Sequence, residues 1–518
     1  MSHDRRVATR PEHPEVVALP DVLAWLRTTY GTTDARGDLT DVVITGLSLS
    51  SQRVRPGDLY AALPGARAHG ITFLPAALEA GAVAVLTDPA GAEQVAQTSG
   101  ADGPGVPVLV VADPRSVLGR LAAHVHGEPA QTMRMIGVTG TQGKTTTTRL
   151  AEGGLERAGV SVAVIGTVGT RVNGEDIKTT LTTPEAPDLQ GLFAMMRERG
   201  VTACAMEVSS HALVMGRVDG VVFDVGVFLN LGRDHLDFHA DMEDYYRAKA
   251  SLFTPARALR GLVNIDDEHG RRLVTEASIP VRTMSSQGAD ADWQAIDVVL
   301  RADGSTFTVR GPDGLSVPAG CPVPGDFNVA NTLAAIASCG EAGLDPAAVA
   351  AGISGGSGVP GRFEQVDAGQ DFVVVVDYAH KPDAVAAALR TLRPLTDGQV
   401  IIVLGAGGDR DPGKRPIMAG IAADLADVLI ITDDNPRTED PATIRAAMLS
   451  GVDAATARAE VVEQGDRRLA VHDAIRRARP GDIVLVAGKG HETGQEIHDV
   501  VHPFDDRVVV REALAMRR

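Results

Sequence analysis

The chain has 518 residues, 44% of them hydrophobic and 22% charged, which suits roughly two to four soluble globular domains. A net charge of −18 opposes a nucleic-acid partner, whose phosphates favour a basic face. No apolar span is long enough for a membrane helix, and the stretch from Met1 to Arg6 lacks the apolar core of a secretory signal, so a cytoplasmic protein without a membrane partner is expected. Cys204, Cys321 and Cys339 are odd in number and scattered, and read as buried thiols in a reducing compartment.

The first segment, 1–114, alternates short apolar runs (Val42 to Leu47, Asp58 to Leu63, Ala82 to Leu86, Val106 to Val111) with helical stretches such as Ala76 to Glu79. Gly91 to Gly105, rich in Gly, Ala and polar residues, reads as a loop. The second segment, 115–360, opens with a helix over Val117 to His126. It then alternates strands (Val162 to Ile165, Ala203 to Met206, Val221 to Phe228, Gly261 to Ile265) with helices, the pattern of a mainly parallel sheet. Gly352 to Gly361 reads as a hinge.

Early in that second segment stands Gly137-Val-Thr-Gly-Thr-Gln-Gly-Lys-Thr-Thr, after Met135 and Ile136. Gly137, Gly140 and Gly143 are expected to let the backbone turn and aim its N–H groups at an anion. Thr141 and Gln142 lie within the loop. Lys144 supplies charge for the β- and γ-phosphates, the Thr145 hydroxyl is a Mg²⁺ ligand, and the helix opening near Thr146 turns its positive end to the phosphates. The position five before Gly143 is Val138 where the strict pattern has glycine. Glu207, at the end of a strand in the same sheet, is the expected carboxylate partner of Mg²⁺. The run Asn230 to His239 is dense in possible metal and phosphate ligands, His235 among them, and Lys249 sits on a probable helix.

The third segment, 361–518, carries four apolar runs: Phe372 to Val376, Val400 to Leu404, Val428 to Ile431 and Ile483 to Val486. Each is followed by a polar cluster: Asp377 to His380, Gly405 to Asp411, Asp433 to Arg437 and Gly488 to Glu492. A doubly wound parallel sheet places all four along one rim, where such folds bind ligands.

Together, Gly140 to Thr146, Glu207-Val-Ser-Ser-His211, Asn230 to His239, Ala248-Lys249, Gly325 to Asn331, Gly361-Arg-Phe363, Asp377 to His380 and Gly407 to Arg410 give the chain a close resemblance to the Mur ligases over nearly its whole length. The resemblance implies three α/β domains: an N-terminal UDP-binding α/β domain, a central P-loop ATPase-like α/β domain and a C-terminal Rossmann-like α/β domain. It implies amide formation with ATP as substrate and Mg²⁺ as cofactor, in a monomer. Among catalytic groups it implies Lys144, Glu207, His235, Lys249 (as a carbamate ligating metal) and His380. For the nucleotide it adds Asn328, Asn331, Arg362 and Asp377. For a UDP-N-acetylmuramoyl-dipeptide it implies Leu49, Ser51, the loop Ala66 to Ala68, Thr182, Thr183, Ser209 and Arg217. Departures from the family pattern are Gln142, Leu181, Met215 and the run Ser50 to Arg53.

The incoming amino acid is read from Asp434-Asn435-Pro436-Arg437. Meso-diaminopimelate carries a distal carboxylate that lysine lacks, and a guanidinium grips a carboxylate through paired hydrogen bonds, so Arg437 and Arg410 are the candidates to hold it. Glu492, with the Gly488 carbonyl, is expected to take the distal ammonium. The alternatives are a lysine-adding member of the family, a folylpolyglutamate synthase and a nucleotide-binding protein without catalysis.

Overall fold

In a computed structural model that describes residues 9–31, 33–65, 68–98, 105–179, 181–301, 304–356 and 358–517, the continuous apolar runs become mostly parallel strands. They pack as two units. One holds the described residues up to Gln294 together with 311–313 and 333–352; the other holds the rest, including everything from Ile353 onward.

Besides the short antiparallel pair Val17–Ala18 and Val43–Ile44, the first unit contains two main sheets. In the smaller, Gly46–Ser48, Asp58–Ala62, Ala84–Thr87 and Val108–Val110 run parallel in that order, and Asp34–Arg36 closes the edge antiparallel. Its loops are tied by a buried pair in which Arg10 Nη1 donates to both Asp58 oxygens at 2.7 Å and Nη2 to the Leu47 carbonyl at 2.8 Å. The segment from Gly91 onward is not a loop throughout: Pro89–Thr98 is a helix. Pro89 opens it, Asp88 Oδ1 accepts from the Gly91 N–H at 2.7 Å, and Ala92 and Val95, one turn apart, are buried. Residues 99–104 lie outside the described residues, as do Ala66 and Arg67.

In the larger sheet Arg134–Thr139 is central, flanked by Ala203–Glu207 and Phe223–Phe228, all parallel. Val162–Gly166 continues one side and Ala258–Asn264 and Val281–Ser285 the other. Gly137 lies inside the central strand and not in the phosphate loop. A Cβ there would meet the Phe223 ring at 2.8 Å, so this glycine serves the close packing of a core aromatic, and its expected part in turning the loop is corrected accordingly. The helix Pro114–Val125 ends at His126, which is 1% exposed and has its Nε2 buried without a hydrogen bond.

Burial, with Arg10 and Arg197 nearby, pushes His126 down to about 3. The unfolded chain takes up this proton near pH 6.5 and the folded chain only near 3, so acidification below 6.5 favours unfolding, by about 1.4 kcal/mol per pH unit. The slope of unfolding free energy against pH between 6 and 4 should therefore flatten in His126→Asn, measured by urea denaturation.

In the second unit Val373–Asp377, Ile483–Ala487, Val400–Ala406, Val428–Asp433 and Glu460–Glu463 lie side by side, all parallel, and Glu364–Gln365 adds an antiparallel edge. The four polar clusters accordingly share the carboxyl rim. All three cysteines are buried free thiols, and burial raises Cys204 and Cys339 to about 12, which keeps them unreactive.

Candidate active site

The central strand ends at Thr139 and the helix Lys144–Arg157 begins four residues after Gly140. Gly143, at φ +86°, makes the left-handed turn into that helix. The loop is splinted by Asn230, whose Oδ1 accepts from the N–H groups of Thr141 (3.1 Å) and Gln142 (2.9 Å) while Nδ2 donates to the Gln142 carbonyl at 3.2 Å. Thr141 Oγ1 also lies 3.2 Å from the Tyr245 hydroxyl. This splint was not apparent as such in the sequence. Asn230→Ala should lower kcat/KM for ATP by about tenfold, read from initial rates at varied ATP, because the loop loses a fixed shape before phosphate arrives.

Two ammonium groups converge on one carbonyl of this loop. Lys144 Nζ donates to Gly140 O at 2.7 Å and Thr141 O at 3.2 Å, and Lys249 Nζ donates to Gly140 O at 2.9 Å. Lys249 is 1% exposed and lies 4.6 Å from the centre of the Tyr245 ring, so both a carbonyl and an aromatic face hold its charge there. The Lys144 ammonium, next to a helix N-terminus, suits a polyphosphate.

Glu207 is 1% exposed and accepts from Thr145 Oγ1 at 2.8 Å, from the Thr167 N–H at 2.8 Å and from Thr167 Oγ1 at 3.0 Å. Gly166 leaves it room, since a Cβ there would stand 2.3 Å from Oε1. Thr182 joins through Thr167 (3.2 Å), and Thr183 donates to the Glu207 carbonyl at 2.9 Å. Ser209 caps the helix Ser210–Val214, and its N–H reaches Thr183 Oγ1 at 3.4 Å. Arg217 pairs with Glu185 at 2.8 Å and donates to the Thr183 carbonyl at 3.4 Å. Thr167 had no sequence motif to announce it. The hydroxyl of Thr145 and the carboxylate of Glu207, already in contact, are hard oxygen donors of the kind Mg²⁺ takes beside nucleotide phosphates. Among the described residues no group of three or more His, Cys, Asp or Glu side chains is placed to hold a metal ion.

His235 has a left-handed backbone (φ +52°), pairs with Asp234 at 3.1 Å and stands edge-on to His211 at 4.9 Å. Leu49 and Ser51 lie elsewhere in this unit, on the turn after Gly46–Ser48. Among the described residues they share no hydrogen bond with the Glu207 cluster.

In the second unit Asn328 and Asn331 open the helix Asp326–Glu341. Asn328 donates to Pro324 O at 2.8 Å and accepts from Asn331 at 3.2 Å. Phe327 packs edge-on to Phe363, next to Arg362, whose guanidinium lies 4.4 Å from the Tyr378 ring centre. Asp377 accepts from the N–H groups of Phe363 (2.8 Å) and Ala379 (2.9 Å), and burial holds its carboxyl above the usual range despite Arg362. His380 Nδ1 lies 2.7 Å from the Tyr378 carbonyl, which can only accept, so Nδ1 carries the proton and Nε2 is the acceptor. Burial, with Lys381 and Lys414 nearby, pushes His380 down to about 3, so it is neutral at physiological pH.

The rim loops of this unit draw the expected amino-acid residues together. Arg437 donates from Nε to Glu496 at 2.9 Å and from Nη1 to Gly408 O at 2.7 Å. Glu492 accepts from Asn435 Nδ2 at 2.8 Å and from Lys489 at 3.1 Å. Gly488 is needed where it stands, since a Cβ would come 3.0 Å from Asp434 Oδ2, and Gly408 likewise, with Pro436 O at 2.0 Å. Arg410 is exposed and donates locally to Asp409 O at 3.4 Å, so the structure groups it with the loop but not with Arg437's partners. Phe363, Asp409 and Arg437 all have φ near +50°, a strain that non-glycine residues accept mainly at working loops. Lys489, Glu496 and Arg415, which bonds Gly407 O and Glu439, were not singled out by sequence.

A phosphate loop on the parallel centre of one sheet, and a second mainly parallel sheet rimmed by charged loops, define a nucleotide-dependent α/β enzyme. The chain belongs to the Mur ligase family and is a ligase of that family. It matches the Mur ligase family catalytic domain over residues 43–126, the Mur ligase middle domain over 138–339 and the Mur ligase glutamate ligase domain over 361–490. It is 58% identical over 477 residues to a UDP-N-acetylmuramoyl-L-alanyl-D-glutamate--2,6-diaminopimelate ligase of Streptomyces avermitilis, covering 92% of this chain and 93% of that one. To the protein of the same description in Corynebacterium glutamicum it is 48% identical, over 91% and 92%. A solved structure of a ligase with that description aligns at TM-score 0.68 and 34% identity, over 97% of this chain and 99% of the other.

Proposed function

We propose that this chain joins meso-2,6-diaminopimelate to the D-Glu carboxylate of UDP-N-acetylmuramoyl-L-Ala-D-Glu, with ATP as the activating substrate, in peptidoglycan precursor synthesis. The observation that carries the amino-acid assignment is Arg437, fixed by Glu496 and Gly408 on a rim shared with Glu492. The relatives bearing this activity in their descriptions support the same reading.

In the first step the γ-phosphoryl group passes to the D-Glu carboxylate and ADP leaves. In the second the amine nitrogen attacks the carbonyl carbon of the acyl phosphate, phosphate leaves and the amine loses a proton. Lys144 neutralises the β- and γ-phosphates, and the loop N–H groups fixed by Asn230 orient them. Mg²⁺, held by Thr145 and Glu207 with His235 and a carbamylated Lys249 toward a second ion, would supply positive charge to the phosphoryl group. Asn328, Asn331, Arg362 and Asp377 contact the nucleotide, and neutral His380 offers Nε2 as a hydrogen-bond acceptor. Leu49, Ser51, Thr182, Thr183, Ser209 and Arg217 hold the UDP-N-acetylmuramoyl-dipeptide. We assign domains to 1–114, 115–360 and 361–518, a division supported by the separate sheets in each segment. Among the described residues no helix is long and apolar enough to cross a membrane.

The purified protein should release phosphate from ATP with the UDP-dipeptide and meso-diaminopimelate, and far more slowly with lysine in its place. Equal rates with lysine would replace this reading by the lysine-adding one.

A further inference from the structure

Lys489 follows the strand Ile483–Ala487 and is fully buried, at 0% exposure, in a position where lysine is rarely found without a task. Its ammonium donates to Asn435 Oδ1 at 2.9 Å and Glu492 Oε2 at 3.1 Å, and lies 3.5 Å from Asp434 Oδ1. Asn435 in turn donates to Glu492 and accepts from the Glu496 N–H at 3.0 Å, and Glu496 pairs with Arg437. One network thus contains three carboxylates (Asp434, Glu492, Glu496) and two cations (Lys489, Arg437), a net charge of 2 − 3 = −1. Of the neighbouring groups, Arg467 and Asp506 form a neutral pair, and Arg445 is shared between Asp433 and the half-exposed Glu463.

The two candidate amino acids differ in charge at the end this network would meet. The distal end of diaminopimelate is a zwitterion with no net charge, and that of lysine is a lone cation. Removing Lys489 would take the network from −1 to −2 and strengthen its pull on a lone cation, in surroundings where charges are weakly screened.

We propose that Lys489 is a specificity-determining residue: an internal ammonium that occupies the carboxylates of Asp434 and Glu492 and so tunes the site to a zwitterionic amino-acid end over a lone ammonium. This deepens the proposed function and rests on it. No part of the network needs Lys489 to touch the reacting amine, so its effect belongs in selectivity and in the KM for the amino acid.

The test measures kcat/KM for meso-diaminopimelate and for L-lysine, together with the KM for ATP, in the wild type, Lys489→Met and the double variant Lys489→Met/Asp434→Asn, which restores the net charge of −1. The ratio of diaminopimelate to lysine efficiency should fall by about tenfold in Lys489→Met, with the KM for ATP unchanged, and return toward the wild-type ratio in the double variant. An unmoved ratio in Lys489→Met, or a double variant as unselective as the single one, overturns the proposal. Should Lys489→Met fail to fold, Lys489→Gln takes its place and is read the same way: a ratio about tenfold below the wild type's supports the proposal and an unmoved ratio overturns it. Failure of the wild type to use diaminopimelate at all would instead be failure of the underlying function.

Discussion

Lys144→Ala should reduce kcat for ATP-dependent ligation on the order of a thousandfold while the protein stays folded. The side chain is half-buried over its own loop, where its hydrogen bonds go to the carbonyls of Gly140 and Thr141. Its loss removes a cation at the place where charge shifts during phosphoryl transfer, and the neighbouring Lys249, buried against Gly140 and Tyr245 and assigned to the metal as a carbamate, does not replace it. Because a transferring phosphoryl group is stabilised mainly by fixed positive charge, the defect should lie in kcat more than in the KM for the amino acid. Rapid-quench measurement of ADP formation, with circular dichroism as the folding control, checks this. A variant retaining more than about a tenth of wild-type kcat would remove Lys144 from the centre of the mechanism.

Arg437→Ala should raise the KM for meso-diaminopimelate by about a hundredfold and leave that for ATP within about twofold. Its guanidinium is oriented before any ligand arrives, by Glu496 on one nitrogen and the Gly408 carbonyl on another, and its backbone is held at φ +52° by bonds between its N–H and Glu496 O and between its carbonyl and the His498 N–H. Arg437→Lys should not restore binding, because an ammonium cannot form two parallel hydrogen bonds with a carboxylate from a fixed plane. Equal rises in both KM values would show that the residue supports the fold of the rim and not the choice of amino acid.

The parallel sheets were legible because a strand buried on both faces must be apolar throughout, as Val400 to Leu404 and Ile483 to Val486 are. The rim position of the four polar clusters followed from that, since parallel strands deliver their ends to one edge. Glu207 was legible as the residue closing an apolar run, but Thr167, which donates to both of its oxygens, was not: the two are forty positions apart and meet only because Val162–Gly166 pairs with Ala203–Glu207. Gly137 shows the reverse error, a glycine in a loop motif that serves an aromatic ring on the next strand. The helix Pro89–Thr98 hid behind its Gly and Ala content although Asp88-Pro89 is an ordinary opening signal. Lys489 was missed for a different reason. Lysine is usually solvated, and only the packed structure places its ammonium among Asp434, Asn435 and Glu492.

The central claim is that this chain activates the D-Glu carboxylate as an acyl phosphate and hands it to the diaminopimelate amine. Labelling the oxygens of that carboxylate with a heavy isotope tests it most directly. Mass analysis should find one labelled oxygen in each phosphate released, and only when the UDP-dipeptide, ATP and meso-diaminopimelate are all present. Phosphate released without label, or at the same rate without the amino acid, would contradict the account.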